Sequence, residues 1–368
     1  MIEVEKLLQI LESNSIKYFT GVPDSVLKET DYYLNKKKKD KHFIATNEGS
    51  AVALAIGYNL ATKKIPCVYM QNSGLGNALN PLISVAHKKV YSIPMVLLIG
   101  WRGAPGKKDE PQHKLKGAIT EKLLKLLNIK YCILNNKNDL KKIKKLIVYA
   151  KKNNSPVALL IKKDTLKNSK KKKSIKQNIT LKRKDVISDL LRKVKKNSKI
   201  IATTGFTSRE LHQIRKIKKE EKGNDFYMVG GMGHTSMVSL GISIKTSDDV
   251  ICLDGDGSLL MHLGSLVSVG KIGGKNFKHI LFNNNSHESV GGQTTNIEKL
   301  NIKKLILSSG YKNYYLIKSF DKISITINKF LKSKGPSFLE IKIGIGSIKD
   351  LKRPKNLIQI KKNFIKSF

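Results

Sequence analysis

The sequence predicts an α/β fold with two domains, each a parallel sheet flanked by helices. Short apolar runs alternate with helical patterns in both halves of the chain, and this alternation is typical of parallel strands joined by helices. At 368 residues, the chain is long enough for two domains that each bury a core. Between the patterned halves, residues 165–182 are rich in Lys, Asn and Ser, which is typical of a linker. We therefore expect domains over 1–165 and 184–368, joined by a linker over 166–183.

Each half is expected to contain helices and strands in alternation. In the first half, the helical patterns cover residues 2–14, 48–62, 77–88 and 119–128. The strand patterns of that half cover residues 16–22, 66–72, 94–100 and 156–162. In the second half, helices are expected over 184–196, over 258–271 and, after a glycine-rich turn, within 230–243. Strands are expected there over residues 199–205, 249–254, 278–283 and 337–343.

The composition indicates a protein of the cytoplasm. The chain has no uninterrupted run of about 18 apolar residues, so we expect no membrane span and no membrane partner. Its first residues are typical of an amphipathic helix with acidic side chains and do not resemble an export signal. Cys67, Cys132 and Cys252 are odd in number and lie in apolar segments, which fits buried free thiols in a reducing compartment.

The formal net charge of +42 raises the possibility of a nucleic-acid-binding protein. However, six of the 70 basic residues are Arg, the residue that reads bases through paired hydrogen bonds, and the others are Lys. Aromatic residues make up 7% of the chain and form no evident base-stacking platform. We therefore expect no specific nucleic-acid partner. Lys, Asn and Ile are all abundant, which is typical of an A+T-rich coding sequence that places Lys on the solvated surface. Steering of an anionic substrate and non-specific polyanion binding are the functional alternatives for this charge.

The strongest local signal is the segment DVICLDGDGSLLMHLGSLVSVGKIGGKNFKHILFNNNS, residues 249–286. One strand ends at the turn Gly255–Ser258, a helix follows, and the next strand ends at Asn284. Because the carboxyl ends of parallel strands meet at one edge of a sheet, Asp256 and Asn284 are expected side by side. Their oxygens suit Mg²⁺, the glycines permit a tight turn, and the amides of the following helix can bind diphosphate.

This unit resembles the cofactor motif of the thiamine-diphosphate-dependent decarboxylases, in which a GDG turn precedes an Asn pair. The resemblance implies that Asp256, Asn284 and the main-chain carbonyl of Ser286 bind Mg²⁺. It also implies a set of residues around thiamine diphosphate, namely Gly230, Met232, Gly255, Asp256, Gly257, Ser258 and Asn284. The GDG-to-Asn spacing is about one residue longer than in the family, which we assign to the loop KIGGKN over 271–276.

A second match lies in the other half of the chain, in the segment ATNEGSAVALAIGYNLAT over 45–62. It resembles the family segment whose glutamate bonds N1′ of the cofactor's pyrimidine and promotes the imino form of the 4′-amino group. The resemblance implies that Glu48 is this catalytic acid. It also implies that 1–165 is the pyrimidine-binding domain and 184–368 the diphosphate-binding domain. Taken alone, Glu48 can equally stabilise a helix N-terminus.

A third match is VGGMGHTSMVSLGIS over 229–243. The resemblance implies that Met232 supports the bent shape of the cofactor and that the Gly230 carbonyl accepts a hydrogen bond from its 4′-amino group. A core-packing Met is the alternative. The chain departs from the family pattern at two positions beside motif residues. Gly231 stands where many relatives have Ser, and Asn285 stands where relatives have Gly.

Length and further segments indicate the short, two-domain members of the family. FTGVPDSVLK, GWRGAPGKKDEPQHK and NNNSHESVGGQ resemble members that act on three-carbon 2-oxo acids with an anionic group on C3. The resemblance implies decarboxylation of 3-phosphonopyruvate to phosphonoacetaldehyde and carbon dioxide in phosphonate biosynthesis. Sulfopyruvate is the alternative substrate, and a basic polyanion-binding protein is the remote alternative function.

The same resemblance suggests residues for substrate and proton handling. Asp24, Ser25 and Arg102 are candidates for binding the substrate, and His113, His234 and His287 for moving protons. Each of these side chains can instead have a structural role. The remaining histidines lie in no motif and are expected to be structural: His42, His87, His212, His262 and His279. The family also implies at least a homodimer, in which each site is shared between subunits.

Overall fold

The computed structural model describes residues 1–167, 181–221 and 223–368. These residues form two compact units: the first contains residues up to 167 and Val290–Gln293, and the second contains the remaining described residues. Most of the linker predicted over 166–183 lies outside the described residues. Within the described part of the chain, no helix is long and apolar enough to cross a membrane.

The first unit is built on a parallel sheet. Its strands are β1 (Ile2–Glu3), β2 (Phe19–Gly21), β3 (His42–Ile44), β4 (Cys67–Gln71), β5 (Val96–Trp101), β6 (Lys130–Leu134), β7 (Val157–Lys162) and β8 (Leu166–Lys167). Strands β1 and β8 pair with each other, and the other six form one sheet in the order β3-β2-β4-β5-β7-β6. Every pair in this sheet is parallel, so all its strands end at the same edge.

Helices cover both faces of this first sheet. They are α1 (Val4–Ser13), α2 (Asp31–Leu34), α3 (Glu48–Thr62), α4 (Leu75–Pro81), α5 (Pro111–Leu126) and α6 (Leu140–Asn153). Side chains alternate between two cores along β5, since Leu98 belongs to the core with α1 and α6, and Leu97 to the core with α3 and α4. Burial on both faces explains why these strands are continuous apolar runs in the sequence.

The second unit repeats this architecture. Its strands are β9 (Lys199–Ala202), β10 (Asp225–Tyr227), β11 (Val250–Gly255), β12 (Phe277–Asn283), β13 (Asn313–Ile317) and β14 (Ser337–Lys342). They form a parallel sheet in the order β10-β9-β11-β12-β14-β13. Counted along each unit, this is the same strand order as in the first sheet. The α/β prediction with two flanked parallel sheets is confirmed.

Eight helices surround the second sheet in the described residues. They are α7 (Arg183–Lys193), α8 (Phe206–Ile217), α9 (Thr235–Ser243), α10 (Asp256–Met261), α11 (Ser265–Ile272), α12 (Ile302–Ser308), α13 (Ile323–Lys332) and α14 (Leu357–Lys366). They divide the apolar side chains between one core with α7, α8 and α13 and another with α11 and α12. This unit therefore also has helices on both faces of its sheet.

Several elements differ from the sequence-based expectation. The helix expected over 258–271 is broken at His262, whose backbone leaves the helical region, so α10 and α11 are separate. The helix expected over 119–128 begins earlier, because Pro111 occupies the first turn, where its missing N–H costs nothing. Short strands such as β3 and β10 escaped prediction, because three residues are too few to establish an alternating pattern.

Each sheet has a point where the strand order reverses, between β2 and β4 in the first unit and between β9 and β11 in the second. Ligands of open α/β sheets bind outside the carboxyl ends of the strands at such points. The GDG turn follows β11, so the second unit places its motif beside a reversal point. From the fold alone, ligand-binding residues are therefore expected in the loops that follow β2, β4, β9 and β11.

Close packing of α11 against the loop after α12 provides a test of this fold. A Cβ atom added at Gly270 would lie 1.7 Å from the backbone oxygen of Ser309, whereas one added at Gly241 in α9 would meet nothing within 4 Å. We expect Gly270→Ala to lower the midpoint of thermal unfolding by about 6–12 °C, since overpacking against backbone costs about 3 kcal/mol. The control Gly241→Ala should leave the midpoint equal or higher. Calorimetry that finds the two variants equally stable would contradict this packing.

Candidate cofactor and metal site

The second unit brings Asp256 and Asn284 together at the carboxyl edge of its sheet. Asp256 begins α10 directly after β11, and Asn284 follows the neighbouring strand β12. The backbone N–H of Ser286 donates to Asp256 Oδ2 and to Asn284 Oδ1, and each oxygen lies 3.1 Å from the Ser286 nitrogen. Two side-chain oxygens from adjacent strands therefore converge on one amide, as the sequence predicts.

The Asp256 carboxylate is buried and held by several donors. Its Oδ1 accepts from the Gly257 N–H at 2.8 Å, and its Oδ2 also accepts from the Thr295 hydroxyl at 3.1 Å. Burial nevertheless raises the pKa of Asp256 to about 6, because desolvation outweighs these hydrogen bonds. A bound cation would favour the ionised form of this carboxylate.

Asn284 is oriented by an ionic network that sequence reasoning missed. Its Nδ2 donates to Glu288 Oε2 at 3.0 Å, which leaves its Oδ1 to accept from the Ser286 N–H. The same Glu288 oxygen accepts from Arg183 Nη2 at 3.0 Å, and Arg183 also pairs with Glu210 at 3.3 Å. The three charged side chains of this network, Arg183, Glu210 and Glu288, are almost fully buried. Because Arg183 and Glu288 are 105 positions apart, no local pattern could reveal their pairing.

Gly257 lies close to two other predicted site residues. A Cβ atom added at Gly257 would lie 2.8 Å from His287 Cε1 and 3.1 Å from the terminal methyl group of Met232. The structure thus gathers Met232 and His287 around the GDG turn, where glycine is required by close packing. Burial lowers the pKa of His287 to about 4, so this imidazole is neutral at physiological pH.

Ser258 connects the GDG turn to the loop before α9. Its hydroxyl oxygen accepts from the Thr203 hydroxyl at 3.0 Å and from the Gly233 N–H at 3.1 Å. Ser258 therefore shapes the glycine-rich loop that carries Gly230 and Met232. In the same loop, His234 is exposed and its ring stacks on His262, with ring centroids 4.4 Å apart.

The two departures from the family pattern are compatible with the backbone. Asn285 has φ +53°, and Gly231 has φ +63°. Glycine enters this left-handed region without strain, and Asn is the residue that tolerates it best after glycine. The Asn285 side chain also accepts a hydrogen bond from Thr294 at 3.0 Å. Neither departure distorts the turn that presents Asn284 and Ser286.

In the first unit, Glu48 is buried at the start of α3. Its Oε2 accepts from Asn77 Nδ2 at 2.8 Å. A Cβ atom added at Gly74 would lie 2.3 Å from Glu48 Oε1, so the space for this carboxylate depends on glycine at that position. Asn47 caps the helix by accepting from the Ser50 N–H, which satisfies one of the orphan donors there. Glu48 is therefore held by side-chain and packing contacts and does not simply stabilise the helix N-terminus.

Arg102 is the centre of a second cluster in the first unit. Its guanidinium forms two hydrogen bonds with Asp109 and donates to Ser25 Oγ at 3.2 Å. The hydrogen bond to Asp109 raises the pKa of Arg102 further above its usual value. The guanidinium is therefore permanently charged and has a fixed orientation.

Asp24 is fully buried beneath this cluster. Its Oδ2 accepts from the N–H groups of Val26 and Leu27 at 2.9 and 3.2 Å, and its Oδ1 accepts from the Gln71 amide at 2.5 Å. Burial raises the pKa of Asp24 against these hydrogen bonds. Both oxygens are thus engaged by the protein, which favours a role in shaping the turn that carries Ser25.

The turn after β4 links the elements of the first-unit site. Asn72 exchanges hydrogen bonds with the backbone of Arg102, at 2.9 Å to its carbonyl and 3.1 Å from its N–H. Next along the chain, Ser73 donates to the Gln71 side chain at 2.9 Å, and Gly74 borders Glu48. His113 lies on the first turn of α5, with its backbone against Gly103.

Two histidines without a motif are buried in the sheets. His42 Nε2 lies 2.9 Å from the Tyr69 hydroxyl, and His279 Nδ1 lies 2.9 Å from the Tyr311 hydroxyl. His279 also faces Asp254 at 3.4 Å in the core below the GDG turn. These contacts agree with the structural role expected for both residues.

The second-unit residues fit a hard divalent cation and a phosphate-bearing cofactor. The donors are oxygens, which Mg²⁺ prefers. Ser286 Oγ is buried and makes no hydrogen bond within the described residues, so this hydroxyl is available to a ligand. A Cβ atom added at Gly230 would meet nothing within 4 Å, and one at Gly255 would meet only Thr203 at 4.0 Å, which leaves space beside the turn.

Comparison with known proteins identifies both units as thiamine pyrophosphate binding domains. Residues 4–124 match the model of the thiamine pyrophosphate enzyme N-terminal TPP binding domain, and residues 203–341 match the C-terminal TPP binding domain. The phosphonopyruvate decarboxylases of Streptomyces viridochromogenes and Streptomyces hygroscopicus are 31% and 30% identical over 96% of this chain, covering 92% and 91% of their own lengths. The sulfopyruvate decarboxylase of Methanosarcina acetivorans is 26% identical over 92% of this chain and 90% of its own length.

These matches cover both units and include the GDG turn, the Asn pair and Glu48. The two relatives at 30% identity or more extend over almost the whole chain. The cofactor expected from the sequence, thiamine diphosphate, is the one that both matched domains bind. The chain therefore belongs to the thiamine pyrophosphate enzyme family, and within it to the decarboxylases of 2-oxo acids.

Proposed function

We propose that this protein decarboxylates 3-phosphonopyruvate to phosphonoacetaldehyde and carbon dioxide, using thiamine diphosphate and Mg²⁺. The observation that carries the chemistry is the convergence of the Asp256 and Asn284 oxygens on the Ser286 amide, each at 3.1 Å. The choice of substrate rests on the two phosphonopyruvate decarboxylases, which are more similar to this chain than the sulfopyruvate relative. Sulfopyruvate is the second candidate, because it also carries an anionic group on C3.

The proposed division of labour assigns pyrimidine binding to 1–165 and diphosphate binding to 184–368, with a linker over 166–183. Asp256, Asn284 and the Ser286 carbonyl would hold Mg²⁺. The cofactor would lie against Gly230, Met232, Gly255, Gly257 and Ser258. The contacts of Met232 with the GDG turn and the open space at Gly230 support this assignment.

When bound, thiamine diphosphate supplies a carbon nucleophile and an electron sink for loss of carbon dioxide from a 2-oxo acid. Glu48 would exchange a proton with N1′ of the pyrimidine. Asn77 holds one Glu48 oxygen at 2.8 Å, and Gly74 leaves room at the other. A carboxyl group held in this way keeps its orientation without reorganising during turnover.

Arg102 and Ser25 are proposed to bind the anionic group of the substrate. A guanidinium has five N–H donors, and Asp109 and Ser25 occupy three of them in Arg102. The remaining donors suit phosphonate oxygens, which accept charge-assisted hydrogen bonds. Asp24, with both oxygens engaged, would position Ser25 and would not contact the substrate.

His113, His234 and His287 are proposed to handle protons at the reacting carbon. His287 is the best supported of the three, because it packs on Gly257 in the GDG turn. A neutral imidazole at physiological pH can accept a proton and return it. His234, on the exposed loop before α9, is the candidate nearest to Met232 in sequence.

The assembly and location are also proposed from the family resemblance. The active form would be at least a homodimer in which each cofactor takes Glu48 from one copy and Asp256 from another. We propose a cytoplasmic location, since the chain's three cysteines, Cys67, Cys132 and Cys252, are free thiols. No specific nucleic acid is part of this proposal.

A parallel substrate assay tests the proposed function directly. Purified protein with thiamine diphosphate and Mg²⁺ is expected to release carbon dioxide from phosphonopyruvate at least about 100-fold faster, in kcat/KM, than from sulfopyruvate or pyruvate. The physical reason is that pyruvate leaves the anion donors unpaired, and that a sulfonate carries less negative charge than a phosphonate. A preference for sulfopyruvate would replace the substrate and keep the chemistry, whereas no release from any of the three would reject the proposal.

The role of Glu48 is tested by Glu48→Gln. The amide preserves shape and a hydrogen bond but cannot exchange the proton, so kcat should fall by about 10²–10⁴-fold with an unchanged circular dichroism spectrum. The matched control is Glu29→Gln, a partly exposed residue of the same unit, which should keep the wild-type rate. Wild-type turnover in Glu48→Gln would remove this residue from the mechanism.

The ionic network behind Asn284 predicts that a substitution outside the proposed metal ligands weakens Mg²⁺ binding. Glu288→Gln removes the charge that pairs with Arg183 and leaves one acceptor oxygen in place of the two that bind Asn284, Arg183 and the Gly346 N–H. We expect the Kd for Mg²⁺ to rise about 10–100-fold, with much of the lost rate restored at high Mg²⁺. Calorimetric titration of Mg²⁺ measures this effect, and Glu298→Gln on the exposed surface is the control. Equal Mg²⁺ affinity in both variants would show that the network does not support the metal.

A further inference from the structure

A cavity of about 470 Å³ lies at the amino-terminal edge of the second sheet, opposite to the edge that carries Asp256. Its walls come from the segments that precede β9, β11, β12 and β14. Strand β11 alone separates the two edges by its six residues, a distance of roughly 20 Å. The cavity is therefore distinct from the proposed metal site, and its size lies in the range of small-molecule sites, about 300–1,000 Å³.

Lysines dominate the lining of this cavity. Five contribute to it: Lys193, Lys195, Lys275, Lys332 and Lys334. Lys195 pairs with Asp249 at 3.0 Å, and Lys193 pairs with Asp189 at 3.5 Å. The other three form no ion pair with the described residues, so the cavity carries a net positive charge. Lys275 belongs to the loop over 271–276, to which we assigned the extra residue of the family motif.

A buried lysine side chain lies behind one wall of the cavity. Lys278 on β12 is 1% exposed, and its ammonium donates to the backbone carbonyl of Ser333, which lines the cavity. No carboxylate of the described residues lies within ion-pair distance of it. Burial lowers the pKa of Lys278, and the neighbouring charge of Lys195 lowers it further against the effect of Asp249. An anion in the cavity would compensate these charges.

The lining also contains a hydroxyl without a partner. Ser198 is 3% exposed, and its Oγ makes no hydrogen bond within the described residues. Buried polar groups are normally hydrogen-bonded, so a ligand oxygen is a suitable partner. The opposite wall is rigid, because the Asn276 amide donates to three backbone carbonyls at 2.8–3.1 Å. A lysine-rich surface by itself would supply neither the unpartnered Ser198 hydroxyl nor the wall held by Asn276.

We propose that this cavity binds a small phosphate-bearing anion. The unpaired lysines supply charge, the Ser198 hydroxyl supplies a directed hydrogen bond, and Lys278 adds positive charge from within. The ligand's chemistry is that of a phosphate group, whether free or carried by a nucleotide. This inference goes beyond the proposed function, since the cavity lies at the other end of the sheet from the cofactor motif.

Calorimetric titration of the holoenzyme, saturated with thiamine diphosphate and Mg²⁺, tests the proposal with inorganic phosphate and adenosine 5′-monophosphate as probes. Wild-type protein should bind at least one probe saturably in the cavity. The triple variant Lys275→Ala/Lys332→Ala/Lys334→Ala should bind at least about tenfold more weakly. The control Lys361→Ala/Lys362→Ala/Lys366→Ala removes the same charge from α14 of the same unit and should bind as wild type. Tighter binding of the nucleotide would show that the cavity recognises a phosphate group carried by a nucleotide. Equal binding of the two probes would show that it recognises the phosphate group alone.

Ser198→Ala separates a built site from general charge attraction, because it keeps every lysine. It should weaken binding by about fivefold, the effect of one lost hydrogen bond. Wild-type affinity in Ser198→Ala, equal weakening in the two triple variants, or no saturable binding would each overturn the proposal. The readout is binding, so the result does not depend on which 2-oxo acid the enzyme decarboxylates.

Discussion

The register of β11 against β12 is the constraint on which the second-unit site depends. The pairing of Gly255 with Phe282 brings the two strand ends level, so that Asp256 and Asn284 emerge side by side. One backbone amide, that of Ser286, then receives both of their oxygens. A slip of one residue would turn every side chain to the opposite face and separate these groups. The proposed cation site therefore depends on strand pairing as well as on the loop.

Both units use the same strand order, yet they present different chemistry at the same edge. The first unit presents the buried carboxylate of Glu48, which we propose exchanges a proton, and the guanidinium of Arg102; the second presents the oxygens that we propose bind a cation. The difference lies in the loops, because the apolar runs that build the two sheets are alike in pattern. A shared fold thus supplies position, and the residues that follow each strand supply function. The fold therefore does not determine the reaction, which depends on the residues of these loops.

Much of the site could be predicted because its signals are local in sequence. The GDG turn, the Asn pair and the segment around Glu48 are short, and long apolar strands such as β5 and β12 are unmistakable. The supporting contacts could not be predicted in the same way. Arg183 reaches Glu288 across 105 positions, and Asn77 reaches Glu48 across 29, so three-dimensional packing alone reveals them. Short strands were missed because three residues show no alternating pattern, and the break at His262 was missed because the apolar pattern continues across it.

Gly74 has a consequence for how the family can vary. The carboxylate of Glu48 occupies the space that any side chain at position 74 would need, with a Cβ atom falling 2.3 Å from its oxygen. Substitution at either position therefore changes what the other tolerates. A descendant that lost Glu48 would be released from the requirement for glycine at 74, whereas one that retains Glu48 is not. Across an alignment of relatives, the residues at these two positions should therefore vary together.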